Sequence, residues 1–249
     1  MSASPTDRVR RRQVATLAAA ELRRSLLGRR ALPVLLLVAM PIAILLLRAL
    51  FMPDAMRASP TRATTEFAEA FHYFHLRFIV FFANALVFVR LFRGEILEQS
   101  FHYTLLAPLR RELLVVAKYL GGVATAVLVL VPTTILSWLL AYIPHGAPGR
   151  SLAFSAEGLG DLAAYLFIVC LACLAYGALF LLAGLFFKNP MVPAVIFLGW
   201  ETLTPFLPPT LKALSFVHYL ASFAPVPLSS RAFTVLAQPV APWLALVAL

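Results

Sequence analysis

The amino-acid sequence predicts an all-α membrane protein that crosses the bilayer several times. Of its 249 residues, 61% are hydrophobic and only 13% are charged, whereas soluble domains average about 25% charged residues. Apolar runs of about 17 residues or more recur along the chain, close to the length that a helix needs to span a bilayer. Basic residues gather on alternate loops, which is the positive-inside pattern.

The formal net charge of +10 follows this membrane pattern and does not indicate a nucleic-acid surface. Eight of the 21 lysines and arginines lie within residues 1–30, and five more lie within residues 90–118. Basic and aromatic residues are not interleaved as they are on nucleic-acid surfaces. We therefore expect contact with the lipid bilayer and none with nucleic acid. The charge bias predicts a multi-pass protein of the inner (plasma) membrane, with a cytoplasmic N-terminus.

Residues 1–30 form a basic segment that precedes the first apolar run. Within it, Val14, Ala18, Leu22 and Leu26 recur at helical spacing, and arginines cover the remaining positions. An apolar stripe opposite an arginine-rich face is typical of a helix that lies in the membrane interface. We predict such a helix over residues 9–30, with a solvated basic tail as the alternative.

Residues 31–249 read as one transmembrane domain of six spans. The first five are predicted at about 31–51, 71–92, 113–142, 162–187 and 191–207. The connections 52–70 and 143–161 are expected to be outer loops, and 93–112 and 188–190 inner loops. A sixth span starts near Trp243 but reaches only the last residue of the sequence, Leu249. A span needs about 20 residues, so we expect either a fragment or a chain that ends inside the bilayer.

The stretch 208–241 is too rich in proline for a continuous span, because proline interrupts helices. A short helix is predicted over 210–223, with Leu211, Leu214, Val217 and Leu220 on one face. Lys212, Ser215 and His218 are expected on the other face. We interpret this region as an interfacial or re-entrant helix on the outer side.

The segment between the second and third spans carries an ordered set of polar residues. Gly94 and Glu95 leave the second span, Pro108 follows Leu105 and Leu106, and Arg111 comes three residues after the proline. Lys118 follows ten residues after the proline. Because proline is tolerated in the first turn of a helix, Arg111 and Lys118 can belong to the helix that starts the third span.

These residues resemble the permease subunits of type-2 ABC exporters (the ABC-2 type). That family commonly has Gly-Glu after the second span, then a proline, an arginine three residues later, and Gly-Lys opening the third span. This chain has Gln99 and Ala117 at two positions where the family has glycine. The family also has a Leu-Leu pair before the proline, and in this chain that pair, Leu105 and Leu106, lies one place nearer the proline. The N-terminal interfacial helix and the broken helices before the last span also fit the family.

The resemblance implies that the 93–112 segment couples the spans to a separate ATP-binding subunit, which holds the ATP and Mg²⁺. The chain itself would have no cofactor, and it would work as a homodimer or with a second permease subunit. The alternative is an ordinary solvated loop. The implied coupling residues are Gly94, Glu95, Glu98, Pro108, Arg110, Arg111 and Lys118.

Glu201 is a further candidate, since ionisable residues inside a membrane are usually functional. It has either a translocation or gating role in the interior, or an anchoring role at the outer boundary. Cys170 and Cys173 share a helix face and are expected to pack rather than to bind a metal.

Glu69, His72 and His75 are predicted to lie on the outer side of the membrane. Residues that follow one another at intervals of three do not stay on one face of a helix, so this spacing does not favour a metal site. The sequence contains no ATP-binding loop and no motif of a serine hydrolase or zinc protease, so we expect no catalytic residue in this chain. A membrane-embedded hydrolase that uses Glu201 or the outer histidines, and a non-catalytic membrane scaffold, remain as alternatives to the transporter subunit.

Overall fold

A computed structural model describes residues 5–27, 31–51, 61–97, 111–187, 189, 191–206, 208–212 and 214–226. Within these residues the regular elements are helices and no strand occurs, which confirms the predicted all-α class. Four helical stretches are long and apolar enough to cross a membrane. They are Leu32–Phe51, Arg62–Leu91, Glu112–Ala153 and Ala156–Phe186.

The long helices are α1 (Pro5–Leu27), α2 (Leu32–Phe51), α4 (Phe81–Leu97), α5 (Arg111–Tyr142), α7 (Ala156–Phe186) and α8 (Met191–Leu203). Shorter helices are α3 (Thr61–Ala70), α6 (Gly146–Ala153), α9 (Pro209–Lys212) and α10 (Phe216–Ala221). A π-helical stretch, Phe71–Val80, joins α3 to α4 without a break and is called the π segment below. Single 3₁₀ turns cover Ile143–His145 and Thr204–Phe206.

Helix α5 lies at the middle of the bundle and packs against α1, α2, α4 and α7. Helix α2 packs through a buried stripe, Val34, Val38, Pro41 and Leu45, which recurs every three to four residues. The opposite side of α2 exposes large apolar residues such as Leu36 and Leu47, as expected for a helix that faces lipid on one side. Arg48 at the end of α2 forms an ion pair with Glu66 of α3.

The contact between α4, α5 and α7 depends on two glycines that flank one aromatic ring. A Cβ atom on Gly122 of α5 would lie 2.7 Å from the ring of Phe88, and one on Gly177 of α7 would lie 2.6 Å from the same ring. Real Cβ atoms do not come so close, so both positions need glycine for the ring to fit. Phe88 is fully buried between the two helices as a result.

Helix α1 packs along α5 through the predicted stripe. Val14, Ala18, Leu22 and Leu26 are all half-buried. Helix α1 approaches so closely at Gly121 that a Cβ atom there would lie 3.0 Å from the carbonyl oxygen of Ala18. The stripe that we interpreted as a membrane-facing surface holds α1 on the bundle, and its contact with the membrane interface stays a prediction.

The second helical stretch begins earlier than predicted. Residues 52–70 were expected to be an outer loop because of their charges, but α3 occupies Thr61–Ala70. The reason is an apolar stripe within the charged sequence: Ala63, Phe67 and Ala68 are buried. The ring of Phe67 packs edge-on against Trp138 of α5, with 5.0 Å between ring centroids. The charged residues Arg62 and Glu69 point outward and are exposed.

Two other predicted segments differ from the structure. The expected outer loop 143–161 is helical for much of its length, because the 3₁₀ turn and α6 continue from α5, and α7 already begins at Ala156. Gly146 connects the 3₁₀ turn to α6 with a φ of 69°, a conformation that glycine adopts without strain. The predicted fifth span, 191–207, contains a helix of only 13 residues, Met191–Leu203.

The predicted helix 210–223 is two short helices, α9 and α10, and its faces are mixed. Val217 and Leu220 are buried as expected, but Leu214 is 64% exposed. Lys212 and Ser215, which we expected on a polar outer face, are buried. Ser215 is the N-cap of α10, so the chain must break before it. Helix α10 packs against α7 and the π segment.

Candidate functional site

The predicted coupling segment is described only at its two flanks. Gly94 and Glu95 lie in the last turns of α4, and Arg111 is the first residue of α5. Glu98, Pro108 and Arg110 lie outside the described residues. The coupling role of all these residues stays a prediction.

Lys118, the last residue of the predicted coupling set, lies in the interior. Its side chain is 3% exposed, and its ammonium group donates a hydrogen bond of 2.8 Å to a carboxylate oxygen of Glu21 in α1. The same group donates a second bond of 3.0 Å to the carbonyl oxygen of Leu91 in α4. An ammonium that is taken out of water needs such acceptors, because an uncompensated buried charge is strongly unfavourable.

We call Glu21, Leu91 and Lys118 the clamp. The clamp connects three helices at one point: α1 through Glu21, α4 through Leu91, and α5 through Lys118. Glu21 itself is 14% exposed, so water reaches one side of the ion pair. Leu91 precedes the predicted coupling segment and Lys118 follows it, so the clamp joins the helices on either side of that segment to each other and to α1.

Glu201 is the second candidate, and the structure places it in the interior with 1% exposure. One carboxylate oxygen accepts a hydrogen bond of 2.6 Å from the hydroxyl of Ser215. The same oxygen receives a longer contact of 3.4 Å from the N–H of Val217, and the other oxygen accepts a bond of 2.8 Å from the backbone N–H of Phe216. Glu201 thus satisfies the free N–H groups at the start of α10, and a negative charge is favourable at that end of a helix.

Arg77 in the π segment is a half-buried arginine that our sequence reasoning missed. It lies near the midpoint of the helical stretch Arg62–Leu91, within electrostatic range of Glu201 and of the phenol of Tyr176. Its guanidinium also lies over the ring of Tyr73, 5.9 Å from the centroid. A cation at this depth is costly in a bilayer and usually functional.

An aromatic layer surrounds these charges. Tyr176 of α7 is fully buried, and its ring contacts Phe216 of α10 at a centroid distance of 5.6 Å and Phe81 of α4 at 5.5 Å. Tyr176 and Glu201 are both buried, whereas Arg77 is half-buried. We call Arg77, Tyr176, Glu201 and Ser215 the bundle centre. The sequence signal that could have revealed the bundle centre is Arg77, a charged residue within the largely apolar stretch FHYFHLRFIV.

The histidines of the π segment are buried in the bundle, and their predicted position on the outer side of the membrane stays a prediction. His72 and His75 are 3% and 4% exposed, whereas Glu69 is exposed to solvent. His75 pairs with Thr134 of α5, with 3.0 Å between the ring nitrogen and the hydroxyl oxygen. Because Thr134 donates its own proton to the carbonyl of Leu130, the histidine is the donor. Within the described residues, no group of three acidic, histidine or cysteine side chains is arranged to bind a metal.

The two cysteines are free thiols in α7. Cys170 is half-buried and Cys173 is buried. Cys173 receives a long contact of 3.9 Å from the amide nitrogen of Asn84 in α4. This contact lies in the α4–α7 interface, as expected for residues that pack between helices.

No protein-family model, curated protein or solved structure matches this chain. The described residues form an all-α protein with four helical stretches that are long and apolar enough to cross a membrane. Its two candidate sites are the clamp and the bundle centre.

Proposed function

We propose that this chain is the membrane permease subunit of an ATP-driven transporter of the ABC-2 type, an exporter. It works with a separate ATP-binding subunit, which holds ATP and Mg²⁺, and either as a homodimer or with a second permease subunit. The proposal includes six spans in the inner (plasma) membrane and a cytoplasmic N-terminus. The sequence pattern Gly94, Glu95, Pro108, Arg111 and Lys118 is its starting point.

The observation that carries the proposal is the clamp at the flanks of the 93–112 segment. A segment that receives force from another subunit is useful only if both of its ends are attached to the parts that move. Lys118 attaches α5 to α4 through Leu91 and to α1 through Glu21. A displacement of the segment is therefore passed to three helices together, because tightly packed elements move as units.

Within this proposal Lys118 is a positioning residue. Its side chain is 3% exposed and so is not available to contact a second subunit. The 93–112 segment itself contacts the ATP-binding subunit in this proposal. Its charges are those of Glu95, Glu98, Arg110 and Arg111. Charges at an interface mainly set orientation and association rate, so these residues select the docking geometry.

The bundle centre supports a gating role for Glu201 within the same proposal. Glu201 holds the start of α10, and Arg77 provides the opposite charge from the π segment. A relative movement of the π segment and α8 would separate these charges and release α10. A hydrolytic role for Glu201 is not favoured, because hydrogen-bond donors already occupy both carboxylate oxygens.

The test is co-purification from the native membrane. A tag on this chain should recover a polypeptide with an ATP-binding cassette, identified by mass spectrometry, in a fixed ratio to the tagged chain. Glu95→Ala and Arg111→Ala should leave the chain in the membrane fraction and lower the recovery of the ATP-binding subunit about tenfold, the effect of losing roughly 1.4 kcal/mol.

Arg150→Ala is the matched control, because Arg150 is an exposed basic residue of α6, far along the chain from the segment. It should leave recovery unchanged. Recovery of no ATP-binding subunit with the unmodified chain, or equal recovery with Arg111→Ala, would contradict the proposal.

A further inference from the structure

Four buried polar side chains lie where the π segment, α5 and α7 meet, and we call them the polar cluster. They are His72 of the π segment, Ser137 and Tyr142 of α5, and Tyr165 of α7, and each is at most 3% exposed. Within the part of the chain that the structure describes, neither ring nitrogen of His72 and none of the three hydroxyl oxygens has a hydrogen-bond partner. The polar cluster therefore contains five buried polar atoms that no described protein group satisfies.

Two aromatic rings, those of Phe71 and Trp138, connect the members of the polar cluster. The ring centroid of Trp138 lies 4.4 Å from that of Tyr142 and 6.2 Å from that of Tyr165. The centroid of Phe71 lies 4.6 Å from that of Tyr165 and 5.7 Å from that of His72. The serine of the cluster directly precedes Trp138 in α5. The four side chains thus surround one small aromatic core.

A group of buried polar atoms without protein partners needs another source of hydrogen bonds. The large majority of buried polar atoms in proteins are bonded to protein or to ordered water, because burying a hydroxyl or an imidazole without a partner is costly. A buried water molecule typically makes about three hydrogen bonds to such groups, whereas purely apolar cavities stay dry. Several unsatisfied groups around one point are therefore the arrangement that favours internal water.

The polar cluster also has a polar neighbour at the end of the bundle where α5 ends and α7 begins. Asp161 of α7 is half-buried and precedes Tyr165 by about one helical turn. It lies within electrostatic range of the phenols of Tyr142 and Tyr165. On the inner side, the next histidine, His75, is already bonded to Thr134 at 3.0 Å. Water thus has a polar entrance beside Asp161.

We propose that His72, Ser137, Tyr142 and Tyr165 bind a group of internal water molecules that enters past Asp161. The water molecules donate hydrogen bonds to the unsatisfied nitrogen and oxygen atoms and accept hydrogen bonds from the hydroxyls. They join the π segment, α5 and α7 through bonds that the side chains do not make with one another. This inference does not rest on the proposed transport function.

The first measurement is radiolytic footprinting of the purified full-length chain in detergent. A short X-ray pulse makes hydroxyl radicals from water, and radicals that form beside a buried side chain oxidise it where bulk solvent does not reach. Tyr142 and Tyr165 should be oxidised several times faster than Phe88, after correction for the intrinsic reactivity of each residue type. Phe88 is the control because it is fully buried between two glycines and aliphatic side chains.

The second measurement is the unfolding temperature of Tyr142→Phe and Tyr165→Phe, which has opposite signs for a hydrated and a dry cluster. A hydroxyl that is bonded to water loses that bond, so the unfolding temperature should fall by about 2–4 °C. Removal of a hydroxyl that has no partner would instead raise it. Tyr119→Phe is the matched control, because its hydroxyl donates a bond of 2.9 Å to the carbonyl of Leu174 and its removal should also cause a fall.

Two results would overturn the internal water site. One is a rise in unfolding temperature in Tyr142→Phe or Tyr165→Phe while Tyr119→Phe falls. The other is oxidation of the two tyrosines no faster than that of Phe88. The footprinting uses the unmodified chain, so it decides the question even where a variant does not fold.

Discussion

The clamp and the bundle centre both contain a buried charge, but the two charges are neutralised in different ways. Lys118 is matched by a carboxylate on another helix and by one carbonyl oxygen, and its partner Glu21 remains 14% exposed. Glu201 is 1% exposed and is surrounded by a hydroxyl and the N–H groups of a helix start. Water reaches the carboxylate of the clamp, whereas it does not reach the carboxylate of the centre.

This difference affects how much free energy it costs to open each site. Water can replace part of the contact that Glu21 loses when the ion pair separates, although the ammonium of Lys118, at 3% exposure, still needs an acceptor. A sealed carboxylate that loses its donors leaves several unsatisfied groups in an apolar layer, each costing about 1–3 kcal/mol. We therefore expect that opening the clamp costs less free energy than opening the centre.

The largest effect is expected at the centre. Glu201→Ala should lower the free energy of unfolding by about 4 kcal/mol, because it strands the hydroxyl of Ser215 and the N–H of Phe216 and removes the charge opposite Arg77. Thermal unfolding in detergent, followed by circular dichroism, measures this loss. Thr202→Ala is the control: its hydroxyl bonds only to its own helix and is exposed, so the change should stay within about 0.5 kcal/mol. A loss of similar size in both variants would remove the distinction between centre and surface.

A smaller effect is expected at the clamp. Lys118→Met fills similar space without a charge and should lower the unfolding free energy by about 2 kcal/mol, since Glu21 then faces an apolar environment. Glu21→Gln should restore part of this loss when the two changes are combined, as paired residues are not additive. The four unfolding temperatures of the double-mutant cycle measure the coupling. Strict additivity would mean that the ion pair does not hold α1.

Substitutions of glycine by alanine compare how tightly the helices pack around Phe88 with how tightly α1 packs on α5. Gly177→Ala places a Cβ atom 2.6 Å from the Phe88 ring and should cost about 1–3 kcal/mol, the usual range for overpacking. Gly121→Ala meets α1 at 3.0 Å, and a small shift of α1 should keep its cost below about 1 kcal/mol. Gly160→Ala, which meets nothing within 4 Å, should be neutral or stabilising because alanine favours helix. Unfolding temperatures in this order would support a looser contact at α1 than around Phe88, and a larger loss at Gly121 than at Gly177 would contradict it.

The residues that could be predicted from sequence are those with a local signal. The apolar stripe of α1, the long apolar helices and the unusual position of Glu201 all follow from spacing or composition. Lys118 was found through its distance from Pro108, but its partner Glu21 lies 97 residues away in sequence. No local pattern connects two residues so far apart, and only the packing of α1 on α5 does so.

Arg77 was missed because the start of the second span was misplaced. The charges of Arg62, Glu66 and Glu69 indicated a loop, so the aromatic stretch from Phe71 was interpreted as an interfacial belt. The buried stripe of α3 continues the helix outward by about three turns, which moves Arg77 from near an interface to mid-depth. The break between α9 and α10 was missed for a related reason: the donor groups of Ser215 and Phe216 are satisfied by Glu201, a tertiary contact that the local pattern does not contain.

The coupling of ATP hydrolysis to this chain is the central claim, and one measurement tests it most directly. ATP hydrolysis should be assayed in material purified from native membranes through a tag on this chain, with the unmodified chain and with Arg111→Ala. We expect hydrolysis above background with the unmodified chain and about tenfold less with Arg111→Ala, because the ATP-binding subunit is lost during purification. Hydrolysis that is absent from both preparations, or equal in both, would contradict a permease driven through the 93–112 segment.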